Sequence, residues 1–208
     1  MSKVYEVAHP LIQHHLASLR DEDTAPSEFR RLIQRLAVLL AYEATSDLLT
    51  QNIQVQTPLT TVTCHGLKQR VGLVPILRAG LGMVDPILNL IPSAEVWHLG
   101  LYRDEEPAQP VEYYSKLPKS DPVDVAMIVD PMLATGGSAT AALETLQRWG
   151  VPQIKLLAVI AAPEGIEAVV SKFPETQIYV CAIDLQLNDQ KFIVPGLGDA
   201  GDRTFNTL

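Results

Sequence analysis

The sequence from Met127 to Ser138 reads MIVDPMLATGGS. Its apolar start predicts a buried strand that ends at Val129, and the Gly-Gly-Ser end predicts the start of a helix. Paired glycines let the backbone approach an anion closely, and a helix N-terminus favours a phosphate. The alternative is an ordinary glycine-rich helix start with Asp130 as a turn residue. The apolar strand and the aspartate ahead of the glycines favour a phosphate loop.

Apolar runs on both sides of this segment alternate with helical patterns. The predicted strands cover residues 71–77, 96–102, 125–129, 154–161 and 177–183, and the predicted helices cover 81–90, 136–149 and 164–171. Continuous apolar strands that alternate with helices are typical of an α/β fold with a mainly parallel sheet flanked by helices. Ligands of such sheets bind at the carboxyl ends of the strands, so we expect functional residues directly after these runs.

The first part of the chain has a different pattern. Apolar residues at helical spacing predict helices over residues 11–19 and 26–49, and a Thr-, Val- and Ile-rich stretch predicts a hairpin over 50–63. Residues 103–122 are polar and interrupted by prolines, which indicates a projecting β-arm or a mobile lid. We expect a single domain over residues 1–208, with N-terminal helices and a hairpin in 1–70 and the binding core in 71–208.

Composition and charge limit the classes of function. The net charge is −8 and the pI is about 5.0, which argues against a nucleic-acid-binding protein but not against small phosphorylated substrates. The sequence has no apolar run long enough to span a membrane and no signal-peptide core at its start. Cys64 and Cys181 lack metal-site spacing, so we expect free thiols and a cytoplasmic location.

Two arginines are candidates for binding phosphate groups. Arg78 follows an apolar run and precedes Gly80, at a strand-to-loop junction where a guanidinium can clamp a phosphate. Arg103 lies in the acidic sequence LYRDEE, where a surface salt bridge is the ordinary explanation. A surface ion pair is also the alternative for Arg78.

The tail contains a GxGxxG pattern at Gly196, Gly198 and Gly201. A dinucleotide-binding unit is excluded because only seven residues follow Gly201, too few for a helix and a second strand. The glycines instead indicate a loop whose backbone contacts the edge of a flat ligand, with Asp199 and Asp202 nearby.

Taken together, these segments resemble the uracil phosphoribosyltransferase family. The resemblance covers essentially the whole chain and is carried by EVAHPL (6–11), LAYEAT (40–45), VPILRAGLG (74–82), YRDEE (102–106), IVDPMLATGGS (128–138), AAPEGI (161–166) and IVPGLGDAGD (193–202). It implies a type I phosphoribosyltransferase-like fold with N-terminal helices and a projecting β-arm. It also implies an enzyme of pyrimidine salvage that joins uracil to phosphoribosyl pyrophosphate (PRPP), forming UMP and pyrophosphate.

The resemblance also implies roles for particular residues, of which Asp130, Arg78 and Arg103 would be catalytic. Arg78, with the Ala79-Gly80 turn, and Arg103 would bind the pyrophosphate, and Asp130 would face the ribose hydroxyls. The phosphoribosyl group would be held by Asp130, Pro131, Met132, Leu133, Ala134, Thr135, Gly136, Gly137 and Ser138. Uracil would be recognised by Ile193, Gly198, Asp199 and Ala200, and Asp199 would also face PRPP. Mg²⁺ would bind together with PRPP, with no protein ligand assigned, and GTP activates several bacterial members. A homo-oligomer, dimeric or larger, is also implied.

The sequence departs from the family pattern at two positions, and three alternative functions stay open. Phe192 stands where the family often has tyrosine, and Asn206 replaces a common glycine, which puts details of base binding and of the tail in doubt. The alternatives are a phosphoribosyltransferase for orotate or a purine, a pyrimidine-responsive RNA-binding regulator on the same fold, and a ligand sensor without turnover. The tail loop argues against the first, and the acidic charge and the retained phosphate loop argue against the second.

Overall fold

A computed structural model of the chain describes residues 3–103, 110–115, 117–118 and 120–207, without the side chains of 100–103 and 110–115. In chain order the elements are β1 Lys3–Glu6, α1 Pro10–Arg20, α2 Pro26–Ala44, β2 Thr50–Gln56, β3 Thr61–Leu67, β4 Val71–Pro75, α3 Leu81–Leu90, β5 Glu95–Val96, β6 Leu99–Arg103, β7 Pro110–Ser115, β8 Val125–Leu133, α4 Gly137–Trp149, β9 Gln153–Ala161, α5 Pro163–Lys172, β10 Gln177–Ile183, β11 Gln186–Leu187, β12 Ile193–Val194 and α6 Ala200–Phe205.

The main sheet has six strands in the order β1-β10-β9-β8-β4-β5, and every pairing in it is parallel. Helices α1, α2 and α3 pack on one face, and α4 and α5 pack on the other. Along β8, Val125, Met127 and Val129 enter the first core, whereas Ala126 and Ile128 enter the second. This alternation is the pleat of a strand that is covered on both faces. The α/β prediction is confirmed.

Two hairpins lie outside the main sheet. Strands β2 and β3 pair antiparallel from Thr50–Leu67 to Gln56–Thr61, so the predicted hairpin forms and runs further than expected. Strands β6 and β7 form a second antiparallel pair in the region expected to project as an arm. Residues 104–109 of that region are outside the described part of the chain. Within the described part, none of the helices has the length and apolar character that a membrane crossing requires.

The structure corrects the predicted ends of two elements. Strand β8 does not stop at Val129 but pairs with β9 as far as Leu133, so Asp130 lies within the last residues of the strand. Helix α2 ends at Ala44 rather than at residue 49. The fully buried Lys155 ammonium donates to the Ala44 carbonyl at 2.5 Å and to the Asp47 carboxylate, and a cation is favourable at a helix C-terminus.

Three further features differ from the sequence prediction. The residues before the first helix form β1, a parallel edge strand on β10. The predicted strand over 96–102 is divided into β5, in the main sheet, and β6, in the second hairpin. The tail loop leads into the short helix α6, for which Asp199 is the N-cap through its bond from the Asp202 N–H at 2.8 Å.

Candidate active site

The candidate site lies at the carboxyl edge of the main sheet. Strands β4 and β8 are parallel neighbours, with Val74 opposite Ile128, so Arg78, in the loop after β4, and Asp130, among the last residues of β8, lie toward the same edge. Strand β8 leads through residues 134–136 into α4. No side chain caps the start of α4, so its first N–H groups are free to bind an anion. The expected strand-to-loop-to-helix geometry is therefore present.

The loop encloses a small cavity of about 100 Å³, a size suited to one phosphate group. Of the predicted residues 130–138, all except the buried Pro131 line it, and Ala139 joins them. Gly136 has a φ of 79°, a conformation that favours glycine. A Cβ there would lie 2.8 Å from the Gly165 carbonyl oxygen and 2.9 Å from the Ala168 Cβ, so α5 packs directly against the loop.

Replacing Gly136 with alanine is expected to disrupt the loop and to raise the KM for PRPP by at least about tenfold, since a left-handed φ and a backbone contact both oppose a side chain. Gly82→Ala is the control, because Gly82 lies in α3 outside the loop and a Cβ there would make only ordinary contacts, with Ile33 at 3.5 Å and Thr204 at 3.8 Å. Steady-state kinetics and thermal unfolding of both variants test this. Equal KM values for the two variants would contradict the strain argument.

Asp130 is partly buried at the floor of this cleft. Burial raises the pKa of its carboxyl to about 7, the nearby Asp199 carboxylate adds to the shift, and the bond from the Met132 N–H at 3.3 Å opposes it. Asp199 is thus near enough to Asp130 for its charge to act on that carboxyl. A carboxyl with a raised pKa in a cleft is typical of a functional site.

Arg78 projects from the loop after β4, and its side chain is 59% exposed. Its Nη2 donates to Asp202 Oδ1 at 3.0 Å and its Nη1 lies 3.4 Å from Thr207 Oγ1. A Cβ on Gly201 would lie 3.6 Å from the Arg78 Nη2, so the guanidinium rests against the start of α6. Arg78 therefore contacts the helix that follows the tail loop, and it comes after the strand that neighbours β8.

The four residues predicted to recognise uracil surround the tail loop. Ile193 lies in β12 and is buried, whereas Gly198 and Asp199 are exposed and Ala200 begins α6. The helix after this loop contacts Arg78 through Asp202, and the Asp199 charge acts on the Asp130 carboxyl. Arg103 is the last residue of β6, but its side chain is outside the described part of the chain.

Sequence reasoning did not identify the groups that hold this loop in place. The Arg20 guanidinium binds both Asp184 carboxylate oxygens, at 2.8 and 2.6 Å, and donates to the Gly196 carbonyl at 2.7 Å. The Gly196 N–H in turn donates to Asp184 at 2.9 Å. Arg203 donates to the carbonyls of Leu197 and Leu19, at 2.8 and 2.9 Å, so α1 and the tail loop are fastened together. The available signal was Asp184 itself, a carboxylate directly after the apolar strand β10.

The described part of the chain contains no group of three or more histidine, cysteine, aspartate or glutamate side chains that could enclose a metal ion. Magnesium keeps several waters and is usually held by substrate phosphates with one or two carboxylates, so its binding does not require a cluster of three protein ligands. Asp130 and Asp199 are the carboxylates beside the loop, and a divalent cation would relieve their mutual repulsion.

Comparison with known proteins agrees with this geometry. Residues 6–207 match the family model described as uracil phosphoribosyltransferase. Relatives named uracil phosphoribosyltransferase from Roseiflexus sp. (strain RS-1) and Symbiobacterium thermophilum are 56% and 53% identical over the full length of both chains. The solved structure of the AQ2163 protein from Aquifex aeolicus is 38% identical over 98% of each chain, with a TM-score of 0.92. A hypoxanthine phosphoribosyltransferase from Trypanosoma cruzi, 11% identical over 76% of this chain and 75% of its own, shares the fold with a TM-score of 0.51. With the phosphate loop, the neighbouring arginine and the tail loop assembled at one sheet edge, the chain belongs to the uracil phosphoribosyltransferase family.

Proposed function

We propose that this chain transfers the phosphoribosyl group of PRPP to uracil, giving UMP and pyrophosphate, as a cytoplasmic step of pyrimidine salvage. The observation that carries the proposal is the meeting of three parts at one sheet edge: the phosphate loop, the Arg78 guanidinium and the glycine-rich tail loop. The family match over residues 6–207 supports uracil as the base. Nothing in the comparisons favours the RNA-binding regulator.

In this reaction a uracil ring nitrogen bonds to the anomeric carbon of ribose, the pyrophosphate leaves with the electron pair of the broken carbon–oxygen bond, and the proton of the ring nitrogen passes to solvent. The transition state resembles an oxocarbenium ion, as in other glycosyl transfers. The protein needs no covalent nucleophile, because it positions two substrates and stabilises the departing charge. Mg²⁺, when bound with PRPP, neutralises part of the phosphate charge.

The phosphate end of PRPP is assigned to the loop of residues 130–138. The uncapped N–H groups at the start of α4 bind the 5-phosphate, and the Thr135 and Ser138 hydroxyls add hydrogen bonds. Asp130, at the floor of the same cleft, accepts hydrogen bonds from the ribose hydroxyls. Arg78 and Arg103 bind the pyrophosphate, and they hold the leaving group in line with the attacking base.

The base is assigned to the tail loop. Backbone groups of Gly198, Asp199 and Ala200 face the edge of uracil, and Ile193 supplies an apolar wall. Asp199 is placed to contact both substrates, because it lies beside Asp130 and caps α6. A site that pairs the polar edge of one base leaves groups unpaired with another base, which is a strong source of selectivity.

The function is tested by offering PRPP and Mg²⁺ with uracil, cytosine, orotate or hypoxanthine in separate assays, each with and without GTP. UMP from uracil alone supports the proposal, and a rate that rises with GTP supports allosteric activation. Product from another base would overturn the assignment of uracil. No product from any base would favour a sensor or a regulator, and RNA affinity would then be measured. Size-exclusion chromatography tests the expected homo-oligomer.

Replacing Arg78 with alanine is expected to lower kcat/KM for PRPP by about 100-fold, because a charged, bidentate phosphate contact is lost. Arg35→Ala is the control: Arg35 is an exposed arginine in an ion pair with Glu28, on the α2 surface. It should leave the kinetics unchanged. Wild-type kinetics in the Arg78 variant would exclude Arg78 from the pyrophosphate site.

A further inference from the structure

The C-terminal helix α6 contacts the arginine that is assigned to the pyrophosphate. Asp202, in the first turn of α6, accepts from the Arg78 Nη2 at 3.0 Å through Oδ1. The same Oδ1 accepts from the Thr207 hydroxyl at 2.6 Å, and Thr207 Oγ1 also lies 3.4 Å from the Arg78 Nη1. The three side chains therefore form a closed triangle. The bonds from Thr207 and Arg78 hold the pKa of Asp202 below its usual value, so the carboxylate is ionised.

The same turn of helix reaches the tail loop. The Asp202 N–H donates to the Asp199 Oδ1 at 2.8 Å, and Asp199 is one of the residues assigned to uracil. A single turn of α6 thus joins the base-binding loop to Arg78. The Asp202 side chain bonds the arginine, whereas its backbone bonds the loop, so a side-chain substitution separates the two links.

We propose that Asp202, supported by Thr207, is a positioning residue that fixes the Arg78 guanidinium for PRPP. A free arginine side chain samples many rotamers, and the exposed Arg78 loses part of that freedom through its bond to Asp202 before PRPP arrives. Asp202 occupies one edge of the guanidinium. In the part of the chain that the structure describes, the Arg78 Nε–H has no partner. The edge of the guanidinium that carries Nε therefore remains open for a phosphate. The proposal rests on the proposed function of Arg78.

Replacing Asp202 with asparagine removes the charge and keeps the shape of the side chain. We expect the KM for PRPP to rise by about fivefold to tenfold, since charge-assisted bonds are roughly twice as strong as neutral ones. The kcat and the KM for uracil should stay within about twofold, because the backbone link to Asp199 is intact. Thr207→Val should give a smaller rise, because the pair between Arg78 and Asp202 remains. An exposed ion pair contributes little to stability, so the variants should fold.

Asp121→Asn is the matched control. Asp121 pairs with Arg70 at 2.8 Å and is more exposed than Asp202, and its left-handed backbone suits asparagine. The control should leave every kinetic constant unchanged. A PRPP KM that falls in Asp202→Asn would overturn the proposal, because Asp202 would then compete with the phosphate for Arg78.

A double-mutant cycle tests whether Asp202 acts through Arg78. Affinity for PRPP with Mg²⁺ is measured by calorimetry in the wild type, in Asp202→Asn, in Arg78→Ala and in the double variant. Positioning predicts that Asp202→Asn weakens binding in the wild type and changes nothing once Arg78 is absent. An equal loss in both backgrounds would overturn it. Calorimetry needs no turnover, so this result is separate from the test of the reaction with uracil.

Discussion

Replacing Asp130 with asparagine is expected to make the free protein more stable at pH 8 and to remove most of its transferase activity. The two effects have one cause, the partly buried carboxyl group at the floor of the phosphate cleft. Ionised, it is costly to bury, and in the proposed reaction the ionised form is the one that accepts hydrogen bonds from the ribose hydroxyls. Functional groups held in unfavourable surroundings commonly trade stability for activity in this way.

The pKa sets the direction of the stability effect. The pKa of Asp130 is about 7 in the folded protein, against an ordinary value of 3.8. Between these values the folded state binds more protons than the unfolded state, so stability falls as the pH rises, and the loss is complete above pH 7. Three pH units correspond to at most about 4 kcal/mol, and the partial exposure of Asp130 reduces this figure.

Thermal unfolding at pH 5 and pH 8 measures the effect. At pH 8 the asparagine variant should unfold at a higher temperature than the wild type, and at pH 5 the difference should shrink, because the folded wild type is then protonated at this position. Asp189→Asn, at an exposed turn between β11 and β12, is the control and should show no such pattern. A difference in unfolding temperature that is the same at both pH values would contradict the shifted pKa.

The activity of the same variant should fall by about 100-fold to 1,000-fold in kcat/KM for PRPP, since the charged acceptor proposed for the ribose hydroxyls becomes a neutral amide with one acceptor oxygen. Activity within about twofold of the wild type, together with a confirmed stability gain, would remove Asp130 from the reaction but leave its burial in place.

The layout of the main sheet could be predicted because its central strands carry continuous apolar runs. Strands β9 and β10, and the helix α3, have almost the predicted bounds. The edge strand β1 could not be predicted from its four residues, KVYE, because it forms by pairing with β10, far along the chain. The six-residue helix α6 is too short to show a helical period.

The phosphate loop could be predicted because its strand, glycines and helix start are contiguous in sequence. The tail glycines predicted a loop that contacts a flat ligand, whereas the assignment of particular residues to uracil came from the resemblance. The partners of that loop were missed because they come from distant segments. Arg20 and Asp184 are 164 positions apart, and Arg203 reaches Leu19 across 184 positions. Ion pairs and hydrogen bonds between such distant residues depend on the tertiary fold and leave no periodic pattern in the sequence.

Asp184→Asn should be the most destabilising of the proposed substitutions. The Asp184 side chain is 4% exposed and its partner Arg20 is 25% exposed, so removal of the carboxylate charge leaves a partly buried guanidinium without its counter-charge. Breaking such a pair costs about 3 kcal/mol. For a chain of this length the unfolding temperature should fall by about 6–12 °C. Glu175→Gln, which breaks the exposed pair with Lys3, should change it by no more than about 2 °C.

The same variant should raise the KM for uracil more than the KM for PRPP, because the Gly196 N–H loses its charged acceptor and the tail loop shifts while Asp130 and Arg78 keep their places. Adding Arg20→Met removes the uncompensated charge, so the double variant should regain part of the lost stability without regaining uracil affinity. If both KM values rose equally, the pair would serve the fold in general. If Arg20→Met lowered stability further, the orphaned guanidinium would not be the source of the loss, and the hydrogen bonds to Gly196 would be.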